Sequence, residues 1–164
     1  MNKLDDFSEF KWRVFIPFSF SLYLFFNIPS AYFSGVRLIA LTNNECWVTI
    51  RKKWFNRNPF KSIYFASLAM AAEMSTGVLV MAHSFRRSPK ISMLVTDVDA
   101  TYMKKSVGKI LFKCGDGVHV VDAINRATKY GKTVKLQIHA FGYNKAEEMV
   151  ASFTITWSLK AEQA

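Results

Sequence analysis

Apolar and polar residues alternate from Thr133 to Tyr143, with Val134, Leu136, Ile138 and Ala140 on one side. They alternate again from Glu148 to Leu159, where Met149, Ala151, Phe153, Ile155, Trp157 and Leu159 oppose Ser152, Thr154, Thr156 and Ser158. A period of two over such lengths predicts paired strands of a twisted antiparallel sheet with one buried face. Asn144-Lys145-Ala146 is the turn between them. Further strands are predicted at Val36–Leu41, opened by Gly35, and at Cys46–Lys52 after the Thr42-Asn43-Asn44 turn, the two forming a hairpin. Ile91–Met103 and Lys109–Cys114 complete the set, separated by Lys104-Lys105-Ser106-Val107-Gly108.

The period changes in two places. After Asp116-Gly117, Val120, Val121, Ile124 and Ala127 share one helical face, Asp122 and Arg126 pair at i, i+4, and Gly131 ends the helix. From Ser62 to about Ala82 the chain is apolar nearly all round, which predicts a helix wrapped by other structure or crossing a membrane. Asn58-Pro59 gives a turn before it, and Ser62 is the predicted N-cap. Glu73 is its one charge. Burying a lone carboxylate on such a helix costs free energy unless something pairs with it or uses it. The helix start offers unpaired backbone N–H groups to an anion or a polarised carbonyl.

The first 28 residues read as one or two aromatic-rich helices, broken at Pro17 and ended before Pro29. Val14–Phe33 carries no charge over a length that can cross a bilayer, but Pro17, Asn27, Pro29 and several serines interrupt it. The reading preferred is a buried helical extension over 1–30, with peripheral membrane contact through 14–33 as the alternative. The chain then forms one domain, 1–164, with its core at 31–160. Mean hydropathy near zero, +0.09, favours a soluble protein.

A net charge of +10 points to an anionic partner: nucleic acid, acidic lipid or a phosphate-bearing small molecule. No nucleic-acid-binding motif stands out, so no nucleic acid is expected. Cys46 and Cys114 lack metal-ligand spacing and read as small buried side chains in a reducing, cytoplasmic setting, with a single disulfide left open. His83, His119 and His139 share no metal spacing either, so no metal site is assigned.

The order of hairpin, long helix and antiparallel strands resembles the hot-dog fold, an α+β architecture in which a curved sheet wraps a central helix. The stretch from Asn58 to Glu73 resembles the active-site segment of the PaaI-like acyl-CoA thioesterases. That family shows an Asn, a His-Gly-Gly six residues later, and an acid nine residues after the His. Here the Asn is Asn58 and the acid Glu73, while Tyr64, Phe65 and Ala66 occupy the His-Gly-Gly positions. The Ser62, Tyr64-Phe65-Ala66 pattern is closer to a divergent bacterial branch of hot-dog proteins, and Asp99–Lys105 resembles the strand end preceding its substrate loop.

The resemblance implies a thioester hydrolase with Glu73 as base or nucleophile, Asn58 orienting water or the thioester oxygen, and Phe65 N–H as oxyanion donor. Tyr64 stands in for the histidine and can still donate a hydrogen bond. Ser62 and Ala66 would border the substrate, with Ala66, Ala69, Thr76 and Gly77 on the Glu73 face leaving room for an acyl chain or a partner helix. Arg86, Arg87, Lys104 and Lys105, with Lys90 and Lys109, would hold coenzyme A phosphates. No cofactor is implied, since coenzyme A enters as part of the substrate. A homodimer or dimer of dimers, with sites at the subunit interface, is implied as well. The alternative is a non-catalytic module that binds acyl-CoA as sensor or carrier.

Overall fold

The computed structural model describes residues 5–162. Asp5 caps the first helix, α1 (Asp6–Phe15), by accepting from Ser8 N–H at 2.8 Å. Pro17 breaks it, and Phe18 turns the chain in a left-handed conformation before α2 (Ser19–Asn27). A third helix, α3 (Pro29–Phe33), follows where the sequence predicted the helices to end, because Pro29 occupies a first-turn position that needs no N–H. Phe10, Phe20, Leu24 and Ala31 anchor these helices in the same core as the sheet.

The hairpin forms as expected from β1 (Arg37–Leu41) and β2 (Cys46–Arg51), with an irregularity between Leu38 and Ala40. Cys46 and Cys114 are free, buried and directly opposite each other across β2 and its neighbour β4 (Lys109–Cys114). The central helix, α4, runs Phe65–Ser84 and begins three residues later than expected. Its length and hydropathy are those of a membrane span, but 67% of its most apolar window is buried, and it packs against β2, β4, β5 (Val134–Tyr143) and β6 (Met149–Ala161).

The later strands β3 (Ile91–Tyr102), β4 (Lys109–Cys114), β5 (Val134–Tyr143) and β6 (Met149–Ala161) end within two residues of the expected limits. α5 (Gly117–Tyr130) separates β4 from β5 and ends at Gly131 in the left-handed conformation. Gly117 is obligatory, since a Cβ there would lie 2.2 Å from the Asn43 carbonyl oxygen. All six strands form one antiparallel sheet in the order β1-β2-β4-β5-β6-β3. Phe153, Ile155, Trp157 and Leu159 of β6 point into the core, as their alternation demands. β3 pairs with β6 alone, so its other edge is open.

Candidate active site

A network of polar groups fixes where α4 starts. Asn56 is buried; its side-chain N–H donates to Ser34 O and Arg51 O, and its Oδ1 accepts from Lys53 N–H. The Asn56 carbonyl accepts from Tyr64 N–H at 2.7 Å, and Ser106 O accepts from Ile63 N–H. Asn58 Oδ1 accepts from both Ser62 N–H and Ser62 Oγ, at 3.0 and 3.1 Å. Ser62 is therefore buried inside this turn and is not the N-cap; that position belongs to Tyr64, which makes no side-chain capping bond. The amides of Phe65 and Ala66 have no acceptor among the described residues.

A cavity of about 840 Å³ opens against this helix start. Asn58, Ser62, Tyr64 and Phe65 line it from one side, and Tyr102, Met103, Lys104 and Lys105 from the end of β3 and the loop beyond. Asn58 keeps only its side-chain N–H free, so it can serve a bound oxygen as a donor. Phe65 stacks edge-on to Tyr64 and Tyr102, and burial raises the Tyr102 phenol pKa. Lys104 is ion-paired to Glu148. Tyr102 and Met103 belong to the Asp99–Lys105 stretch singled out in the sequence; Arg57 and Phe60 also line the cavity, and nothing in their sequence context marked them.

Glu73 lies elsewhere on the same helix. Eight residues separate it from Phe65, about 12 Å along the axis. It is half-buried, makes no ion pair or side-chain hydrogen bond among the described residues, and burial raises its pKa. Its Oε1 lies 3.1 Å from the point where a Gly77 Cβ would stand, with the Trp157 ring 3.2 Å from that point. Trp157 Nε1 donates to Thr76 Oγ1, which donates in turn to the Glu73 carbonyl. Between Phe65 and Val80 only Phe65, Ala66, Ala69, Met70 and Glu73 are not buried. Their spacing is one helical stripe, running from the cavity to the carboxylate.

Arg86 and Arg87 do not join this arrangement. They follow the C-terminal end of α4, where Arg86 pairs with Glu9 and Arg87 donates to His83 O and Asn125 Oδ1. A 20-residue helix separates them from the cavity, about 30 Å. The structure thus brings Asn58, Ser62, Tyr64, Phe65, Lys104 and Lys105 together, sets Ala66 beside them on the stripe, and leaves the arginines apart. His119 and His139 each approach the Asp116 carboxylate at 3.3 Å, outside this region.

A domain of unknown function, DUF4442, matches residues 19–159. The chain belongs to the DUF4442 family. No curated protein matches it. Its structure is similar to a Pseudomonas aeruginosa protein of unknown function called a probable thioesterase, with TM-score 0.75 and 18% identity over 90% of this chain and 97% of that one. A Chlorobaculum tepidum protein of unknown function gives TM-score 0.74 and 16% identity, covering 87% and 92%. A Haemophilus influenzae thioesterase gives TM-score 0.65 and 10% identity, covering 90% and 92%. These likenesses fix the fold of the DUF4442 chain as the hot-dog.

Proposed function

We propose that the protein hydrolyses an acyl-CoA thioester, with Glu73 activating water and the uncapped start of α4 stabilising the oxyanion. The observation that carries this reading is the stripe: an unpaired, half-buried carboxylate on the helical face that begins at the cavity, with Ala66, Ala69 and Met70 between them. Burial holds the Glu73 pKa above the usual carboxylate range, which suits a general base. Asn58 Nδ2 orients the thioester oxygen, Phe65 N–H receives its developing charge, and Tyr64 and Ser62 shape the wall. Lys104 and Lys105 face the phosphates of coenzyme A.

Glu73 and Phe65 of one chain are too far apart to act on one carbonyl, for which a base and an oxyanion donor both belong within about 3 Å of the reacting group. A second copy resolves this. The open edge of β3 can pair with its own symmetry mate, and a two-fold axis crossing near Ala69 would set two α4 helices antiparallel. Glu73 of each chain then meets the helix start of the other. Each dimer has two sites, both shared.

One feature of the helix start favours the non-catalytic alternative. Tyr64 and Phe65 place two rings at the cavity where glycines would let a ligand approach the backbone closely. A module that binds acyl-CoA without turnover accommodates those rings readily. Free-thiol release from short to long acyl-CoA substrates separates the two. Turnover that falls at least about a hundredfold in Glu73→Gln is expected. Tight acyl-CoA binding without any turnover would replace the hydrolase with the binding module.

A further inference from the structure

A second face carries chemistry that thioester hydrolysis leaves unused. Aromatic side chains project from α2, α3 and the loop after β2: Phe26 is 71% and Trp54 75% exposed, with Phe33 and Phe55 about half exposed. They are one patch. Phe25 meets Phe26 at 5.1 Å and Phe33 at 6.1 Å between ring centroids, and Phe33 meets Phe55 at 5.8 Å. A contiguous set of rings left in water marks a surface that something covers.

Charge identifies the occupant. From residue 14 to 63 the sequence holds six Lys and Arg residues against one acid, Glu45. Cations sit among the rings, with Arg37 over Tyr32 at 5.1 Å and Arg57 over Trp54 at 5.9 Å. Arg37, Lys53 and Arg57 have no ion-pair partner among the described residues. We propose that this face docks on an anionic bilayer, its rings entering the boundary between headgroups and acyl chains and its cations meeting lipid phosphates.

One further argument favours lipid over a second copy: an isologous contact would bring each basic patch against its like. The nine residues of α2, about 13 Å, are too short to span a bilayer and long enough to lie in its surface. Arg57 and Phe60 also line the cavity, so docking places its mouth beside the lipid. The proposal stands apart from thioester hydrolysis, which soluble short-chain substrates report without vesicles.

The test uses the full chain with vesicles of phosphatidylcholine alone or mixed with phosphatidylglycerol, read by co-sedimentation and by tryptophan fluorescence. Binding to the mixed vesicles alone is expected, weakening as salt rises. Phe26→Ser with Trp54→Ser should lower that binding at least about tenfold, since both side chains project into solvent and their loss leaves the core intact. Lys53→Gln with Arg57→Gln provides a second variant, expected to lose the anionic preference. No binding to mixed vesicles at low salt overturns the proposal, as does binding unchanged in the aromatic variant. Equal binding to neutral vesicles removes the role of charge. An aromatic variant that changes oligomeric state in sedimentation, with no vesicle binding by the parent, assigns the face to a second copy.

Discussion

Within its own chain, Glu73 holds a charge in surroundings that do little to stabilise it. Its neighbours are the Trp157 ring and the backbone at Gly77, and burial alone accounts for its raised pKa. The consequence for stability has a definite sign. With the folded pKa above the unfolded one, the native state binds more protons throughout the interval between them, so stability falls as pH rises through that interval. Above it, the unfavourable contribution is fully present. Glu73→Gln should therefore stabilise the protein at neutral pH, by about 1 kcal/mol, as removal of an unpaired, partly buried charge often does. The advantage should vanish as pH drops below the carboxylate range. Urea unfolding of parent and variant at neutral and acid pH measures both. A variant less stable than the parent at neutral pH would show that the carboxylate supports the fold.

At the scale of elements, the start of α4 depends on two asparagines two residues apart. Asn56 satisfies two carbonyls and one amide from two separate stretches of chain, whereas Asn58 serves only its own turn. Asn56→Ala leaves buried groups unpaired and should cost about 3 kcal/mol in urea unfolding; Asn58→Ala should cost about 1 kcal/mol and act mainly on activity. Comparable costs at the two positions would remove the division of labour. The sequence pointed to Asn58 through its spacing from Glu73 and offered no sign of Asn56, whose partners lie up to 22 residues away. The same limit explains the helix start. Ser62 has the chemistry of an N-cap, but the Arg57–Ile63 bridge and the Asn58 turn hold it outside the helix. The strands were legible because alternation against a buried face is a local signal. The 12 Å offset of Glu73 from the cavity was equally implicit in its helical spacing, yet its meaning depends on where the cavity opens, which is a tertiary fact.

That offset makes the proposed chemistry a property of the proposed dimer, and the prediction it yields does not require a structure of the complex. Phe65 is the first residue of α4, a position where proline is tolerated, and Tyr64 before it already has the extended conformation that proline demands (φ −64°, ψ 136°). Phe65→Pro thus deletes the proposed oxyanion donor while leaving the helix in place, and Phe65→Ala controls for the lost ring. Each of Phe65→Pro and Glu73→Gln should be inactive alone. In a mixed dimer with shared sites, one site collects both defects and the other is intact. Unfolding and refolding the two variants together at equal concentration should then restore about a quarter of the parental activity, since half the dimers are mixed and each has one working site. Sites contained within one chain would give no recovery at any ratio. Recovery abolished by a charge placed on the β3 edge, as in Leu94→Lys, would identify that edge as the surface through which the two halves of the site meet.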